Sequence, residues 1–438
     1  MKRRGIAMKI KCRDLDYAAV LALPKEDRFV PKRPSMLFRT LLRVLSAPDL
    51  RATHFQLEAE GMERLGKDEP ALFLMNHSSF IDLKIAGTIL YPRPFNIVCT
   101  SDGFVGKRGL MRNLGCIPTK KFITDTALVR QMCYAVRELG DSILMYPEAS
   151  YSFDGTATPL PEALGKLLKL LEIPVVMIQT EGAFLRDPLY NMLQLRKVDV
   201  RATMRYVLSP EDIRVKSAAE LNDILKELFT FDNFRTQQQQ GVVVSEPFRA
   251  DGLNRVLYKC PACRTEGEME GKGTLLRCRH CGKRWELTET GYLRAAEGPD
   301  IFDHVPDWYA WERACVRKEL VSGSYRLDIP VTIRMLVDMN CLYTVGEGRL
   351  VHTAEGFELT GCGGRLHYRH APEASYSLYS DYYWYELGDM ICIGNRDALY
   401  YCFPQTPGDV VAKTRLAAEE LFKMRRRPLR KQNEEMKE

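Results

Sequence analysis

No stretch of the chain offers 18 or more uncharged apolar residues, so no membrane-spanning helix is expected. The start, Met-Lys-Arg-Arg-Gly-Ile-Ala-Met-Lys-Ile-Lys-Cys, is basic but lacks the apolar core of a secretory signal. Charge of one sign is also scarce: a formal net charge of +6 over 438 residues sets up no global field for nucleic acid. The 13 cysteines are odd in number and, one cluster aside, scattered. Reduced thiols in a cytoplasmic protein are the simplest account. No Ser or Cys stands in a nucleophile-elbow setting, so a covalent intermediate on the protein is not expected.

What is present is ordinary globular material, with 45% hydrophobic and 27% charged residues and length enough for two or three domains. Basic residues cluster at the ends, in Lys2-Arg3-Arg4 and in Arg425-Arg426-Arg427 with Arg430 and Lys431. Such runs are solvated tails or, alternatively, attract anionic lipid headgroups at about 1 kcal/mol per residue. Ser35-Met-Leu-Phe-Arg-Thr-Leu-Leu-Arg-Val-Leu45 is an apolar stripe with Arg39 and Arg43 at i,i+4. It fits an interfacial helix and, nearly as well, a core helix.

Between 50 and 235, short apolar runs alternate with helical patterns. Strands are expected at Ala71–Met75, Pro94–Cys99, Ser142–Tyr146, Ile173–Gln179 and Val200–Val207, and helices at Ile81–Leu90, Thr124–Leu139, Glu162–Leu171 and Ala218–Phe229. Alternation of this kind predicts an α/β domain with a mixed, largely parallel sheet and flanking helices. The Gln237–Gln240 tract and Gly241 mark its end near residue 245.

Two Cys-x2-Cys pairs follow, Cys260 with Cys263 and Cys278 with Cys281, with fourteen residues between them. That spacing predicts a four-cysteine zinc ribbon, the alternative being two disulfides or free thiols. Four thiolates leave no open position for a reacting water, so the Zn2+ is structural. Arg264, Arg277, Arg279 and Lys283 could serve nucleic acid, but nothing else in the chain supports that use. Beyond 300, short aromatic or β-branched runs at Val331–Val337, Cys341–Val345, Gly356–Thr360, Tyr382–Leu387, Met390–Ile393 and Ala398–Phe403 predict a small antiparallel β-rich domain. A helix at Asp409–Met424 closes it. Cys362, His367 and His370 match metal ligands by residue type alone. The expected division is 1–49, a basic and amphipathic segment; 50–245, the α/β domain; 246–298, the ribbon; 299–408, the β-rich domain; and 409–438, a helix and basic tail.

The chemistry is expected at Ala71-Leu-Phe-Leu-Met-Asn-His-Ser-Ser-Phe-Ile-Asp82, an apolar strand broken at a polar turn and followed by a helix with Ser79 as N-cap. Residues five apart on one helix do not share a face. His77 and Asp82 therefore meet only if His77 lies in the turn before the helix, where the break places it. An imidazole at the carboxyl end of a strand, oriented by a carboxylate, is an acid–base pair at the edge where open α/β sheets bind ligands. The alternative is that Asp82 complements the helix N-terminus and His77 is a polar strand end.

Asn76-His-Ser-Ser-Phe-Ile-Asp82 resembles the His-x4-Asp block of the glycerolipid acyltransferases, the lysophosphatidic acid acyltransferase-like family. Gly115-Cys-Ile-Pro-Thr-Lys-Lys121, Tyr146-Pro-Glu-Ala-Ser-Tyr-Ser152 and Ile173-Pro-Val-Val-Met-Ile178 stand in the order and spacing of that family's other three blocks. The chain departs from the pattern at three places. Tyr151 stands where Arg is usual, Ala149 where Gly is usual, and Lys120-Lys121 where Asp-Arg is usual. The resemblance covers roughly 50–210 and implies an O-acyltransferase that moves an acyl group from acyl-CoA or acyl-carrier protein to a hydroxyl of a lysophospholipid. It implies His77 and Asp82 as catalytic residues, Glu148, Lys121, Lys120, Gly115 and Ser150 as acceptor-binding residues, and no catalytic cofactor. Glu148 reads as an uncompensated loop carboxylate. The implied partners are a membrane lipid and an anionic membrane surface, with the protein peripheral on the cytoplasmic face. A non-catalytic lipid-binding scaffold of the same fold, or an acyltransferase for another lipid alcohol, is the alternative.

Overall fold

The computed structural model describes residues 9–24, 29–123, 125–405 and 408–435. It divides into two compact units: 29–188 with Leu193–Val244, and 9–24 with Leu189–Met192 and 245–435. The first elements in the chain, β1 (Cys12–Asp14) and α1 (Tyr17–Leu21), belong to the second unit. The Lys2-Arg3-Arg4 run lies outside the described residues.

In the first unit the elements run α2 (Met36–Ala52), β2 (Gln56–Glu60), β3 (Leu72–Met75), α3 (Ile81–Ile89), β4 (Phe95–Thr100), α4 (Arg108–Asn113), β5 (Cys116–Thr119), α5 (Thr126–Arg137), β6 (Ser142–Met145) and α6 (Leu164–Leu171). They continue with β7 (Val175–Glu181), α7 (Ala183–Arg186), β8 (Arg201–Leu208), α8 (Pro210–Val215), α9 (Ala218–Leu228) and α10 (Asn233–Gln240). The seven strands form one mixed sheet in the order β2-β8-β7-β3-β6-β4-β5, parallel throughout except where β7 meets β8. All four residues of β3 are buried, which is why it reads as a continuous apolar run: a central parallel strand is covered on both faces. One face is covered by a core joining Leu72, Leu74 and Val175 of the strands to Met132, Leu168, Leu221 and Leu225 of α5, α6 and α9. Gly165 permits this, because a Cβ there would stand 2.0 Å from the Ala218 carbonyl oxygen. Ser209 and Ser217 start α8 and α9 with reciprocal capping boxes.

The stripe over 35–45 becomes the first part of α2, and its two readings fall on different faces. Leu42 packs against Gly87 of α3, and Ser46 and Leu50 are buried. On the other side Met36 (50% exposed), Leu37 (73%), Leu41 (46%), Val44 (60%) and Leu45 (65%) are open. No helix among the described residues is long and apolar enough to cross a membrane.

The second unit carries two sheets. A four-stranded antiparallel sheet contains β9 (Met269–Lys272), β10 (Leu275–Cys278), β11 (Arg284–Leu287) and β12 (Leu293–Ala295) in the order β12-β11-β10-β9. It is followed by α11 (Val305–Ser322), which sequence patterning missed, and whose Trp308 packs edge-on to Trp285 at 5.0 Å. Next come β13 (Leu327–Leu336), β14 (Leu342–Thr353), β15 (Gly356–Gly361), β16 (Leu366–His370), β17 (Tyr379–Trp384), β18 (Gly388–Gly394), β19 (Leu399–Pro404) and α12 (Val410–Glu435). These strands pair antiparallel in the order β16-β15-β14-β13-β19-β18-β17, with β1 added parallel to β14. β16 was not expected either, and His367 on it pairs with Glu358 at 2.6 Å rather than joining Cys362 and His370 as a metal ligand.

Candidate active site

His77 lies in the turn between β3 and α3, and its Nδ1 stands 3.1 Å from Asp82 Oδ2. The same oxygen accepts the backbone N–H groups of Ser78 (2.8 Å) and Ser79 (3.0 Å). Asp82 is fully buried. One carboxylate oxygen thus ties down the turn and orients the ring, so the structural and the chemical readings of Asp82 describe a single arrangement. Because a carboxylate only accepts, Nδ1 carries the proton and Nε2 keeps the lone pair. Ser79 is not the helix cap. That position falls to Phe80, which makes no side-chain cap, while the Ser79 hydroxyl accepts from Ile81 N at 3.3 Å and donates to Asp187.

The His77 side chain is 19% exposed. Burial pushes the imidazole below its ordinary value, the Asp82 hydrogen bond and charge pull it up, and Lys121 pushes it down, for a net lowering. A lowered value leaves the ring neutral at pH 7, with Nε2 able to accept a proton. The ring lies between two phenols, with Tyr146 at 4.1 Å and 28° and Tyr151 at 4.1 Å and 29°. Tyr151 also meets Phe80 at 5.4 Å.

Glu148 is buried, not an uncompensated loop carboxylate. Its Oε2 accepts His77 N at 3.1 Å, and its Oε1 accepts Thr158 N at 2.8 Å and the Thr158 hydroxyl at 3.2 Å. The carboxylate thus holds the His77 backbone with one oxygen and Thr158 with the other. Ser150 is likewise buried. Ala149, between them, adopts φ +55°, the left-handed region in which glycine rests without strain. Lys120 and Lys121 follow the carboxyl end of β5, the edge of the sheet that bears His77, and Lys121 is close enough to act on the imidazole. Gly115 is not part of this site. It precedes β5 and so lies at the opposite edge of the parallel strands, where its carbonyl accepts from Ile97 N (3.0 Å) and Asn96 Nδ2 (2.8 Å) at φ +81°. The family block misleads here because a Gly that shapes a strand entry looks the same in sequence as one that approaches a ligand.

Two further groups had no sequence signal. Asn76 ties the end of β3 to β7 through Thr180, accepting from its N–H at 2.8 Å and donating to its carbonyl at 3.2 Å. Asp187 is buried behind Ser79. Burial raises its carboxyl to about 6, with Arg186 and the Ser79 hydroxyl opposing and Asp82 adding to the rise. Arg186 pairs with Asp187 at 3.3 Å and with Asp49 at 3.7 Å, and Asp49 also takes Lys84. Only the tertiary fold brings residues 108 positions apart together at Ser79 and Asp187.

In the second unit, Cys260, Cys263, Cys278 and Cys281 place their sulfurs within 4.8 Å of one another. The Cys260–Cys281 and Cys263–Cys278 sulfurs are each 3.7 Å apart. Tetrahedral zinc with bonds of about 2.3 Å sets its sulfurs about 3.8 Å apart, so the donor set fits. The two knuckles share one geometry: Arg264 N donates to the Cys260 carbonyl and Gly282 N to the Cys278 carbonyl, both at 2.9 Å, with Arg264 and Gly282 at positive φ.

Residues 56–180 match the sequence model of the Acyltransferase family. No curated protein matches the chain. Among solved structures, similarity is found to the 1-acyl-sn-glycerophosphate (LPA) acyltransferase PlsC from Thermotoga maritima, at 15% sequence identity and a TM-score of 0.37, over 44% of this chain and 76% of that one. By that sequence match the first unit contains an acyltransferase-like domain, and the span 56–180 includes His77, Asp82, Tyr146, Glu148 and Tyr151.

Proposed function

We propose that the chain is an O-acyltransferase in which His77 and Asp82 are the catalytic residues, acting on a lysophospholipid hydroxyl with acyl-CoA or acyl-carrier protein as donor. The observation that carries this reading is the His77 Nδ1–Asp82 Oδ2 contact of 3.1 Å inside the matched span. Nε2 of His77 takes the proton of the acceptor hydroxyl as its oxygen attacks the thioester carbonyl. The carbon–sulfur bond then breaks, the imidazolium returns its proton to the leaving thiolate, and an ester and a free thiol result. Asp82 stabilises the transient imidazolium. Glu148 is a positioning residue that fixes the His77 backbone, and Lys121 and Lys120 hold an acceptor phosphate as point charges. Tyr151 supplies no bidentate cation at its position, which also fits an acceptor whose body beside the hydroxyl is apolar.

The test is release of free thiol from an acyl thioester. Release that depends on added lysophospholipid supports the reading, whereas vesicle binding without thiol release supports a scaffold. Since burial lowers the imidazole, kcat/KM is expected to rise with pH through an inflection below about 6.5 and to be lost as pH falls and the base becomes protonated.

The open apolar face of α2 is proposed to lie on a membrane at the cytoplasmic side; Arg39 and Arg43 lie off that face, Arg39 donating to the Pro92 carbonyl and Arg43 over the Tyr91 ring. Burial of one leucine contributes about 1.5–3 kcal/mol. Leu37→Glu with Leu45→Glu is therefore expected to weaken binding to phosphatidylglycerol vesicles at least tenfold in sedimentation, with the fold unchanged by circular dichroism. In the second unit, the four cysteines are proposed to hold a structural Zn2+ as a zinc ribbon, with no part in acyl transfer.

A further inference from the structure

The environment of the His77 ring holds more than the pairing with Asp82. Tyr146, at the end of β6, and Tyr151, in the loop after it, both lie near-parallel to the imidazole with ring centroids at 4.1 Å. One face of a five-membered ring accommodates one stacked partner at that distance, so the two phenols cover opposite faces. Tyr146 is a neutral phenol, since burial drives its hydroxyl well above the usual value, and that hydroxyl has no hydrogen-bond partner among the described residues. Its orientation is therefore set by ring packing and not by the polar tip. Tyr151 is steadied on its far side by Phe80.

Two π-faces around an imidazole do two things. They fix its plane, which keeps Nε2 pointed in one direction while Nδ1 stays on Asp82. They also attract the ring more strongly once it carries a positive charge, because the face of an aromatic ring is electron-rich. Nearly all other surroundings of the ring work against that charge: it is mostly removed from water and Lys121 is near, so Asp82 is the sole carboxylate in hydrogen-bond contact with the imidazole among the described residues. Glu148 faces the same residue through its backbone N–H. A base in such a setting takes up a proton with difficulty unless something offsets the loss of hydration.

We propose that Tyr146 and Tyr151 form an aromatic clamp, two positioning residues that hold the His77 ring plane and stabilise the imidazolium formed when the ring accepts a proton. The clamp rests on the reading of His77 as the general base, and it makes Tyr151 a functional choice of this chain.

The test is a titration of the full chain labelled with 13C-histidine, with the His77 signal identified by its loss in His77→Gln. Tyr151→Phe, which keeps the π-face, is expected to titrate within about 0.3 units of wild type. Tyr151→Leu, which keeps an apolar side chain and removes the face, is expected to shift His77 down by about half a unit or more. Its acyl-transfer profile is expected to move to lower pH by the same amount. Tyr151→Met supplies the same comparison if the leucine variant does not fold. A His77 titration that is unchanged or raised in the folded leucine or methionine variant overturns the clamp. Because the titration needs no turnover, a shift in a protein that transfers no acyl group overturns the acyltransferase reading while leaving the clamp standing.

Discussion

Replacing His77 with alanine is expected to lower kcat by about 10²–10⁴-fold with little change in donor KM, the usual cost of removing a positioned general base. The expectation follows from the division of labour at the turn. The fold of the turn does not depend on the imidazole, because Asp82 still accepts from Ser78 and Ser79 and Glu148 still accepts from the backbone of residue 77. Loss of rate without loss of melting temperature is therefore the signature. Asp82→Asn is expected to behave differently. The two backbone N–H groups require an acceptor, so the amide oxygen turns toward them and the imidazole keeps a neutral partner in place of a charged one. The turn survives, the imidazolium loses its counter-charge, and the rate falls while the acid limb of the profile moves to lower pH. A His77→Ala enzyme with near-wild-type kcat ends the assignment.

The second large effect is expected at the four cysteines. The wild-type chain is expected to carry one equivalent of zinc by elemental analysis, and Cys260→Ser with Cys278→Ser, which takes one sulfur from each knuckle, is expected to carry none. Structural zinc in isolated finger peptides contributes an apparent value of about 10–16 kcal/mol, so its loss is large against the stability of a domain. Here the loss is local. The knuckle backbone is also clamped to α11, with Lys259 N donating to Glu312 at 2.8 Å and Trp308 donating to the Lys259 carbonyl at 3.0 Å. Proteolysis is expected to open the segment from Tyr258 to Ala295 first, while the acyltransferase-like unit keeps its circular dichroism signal. A chain that binds no zinc, or a double variant that resists proteolysis as the wild type does, contradicts the ribbon.

The parts of the fold that could be read from sequence are those where one physical requirement dominates a short segment. β3, β4, β6 and β7 stand out because central parallel strands are apolar on both faces, and α3, α5, α6 and α9 because each buries one stripe. β2 was invisible because all five of its residues are exposed, on an edge that needs no apolar side chain. α11 was hidden by its buried polar contacts, Glu312 and Trp308 among them, which break the apolar period. At the site, the His77–Asp82 pairing was legible because the polar break after β3 leaves the ring one place to go. Glu148 reads as uncompensated in the sequence because its partners, the N–H of residue 77 and Thr158, are made by tertiary approach. Asp187 and the stacking of Tyr146 and Tyr151 were out of reach for the same reason, since no local pattern records which rings meet across a loop.

The most direct measurement is transfer of a radiolabelled acyl group from one thioester donor to a panel of lipid acceptors, run in parallel with the wild type and His77→Ala. The account predicts labelled ester on at least one lysophospholipid or lipid alcohol with the wild type, and at least about a hundredfold less with the variant. Equal labelling by both proteins, or no labelled ester from a wild type that binds the same lipids, contradicts it.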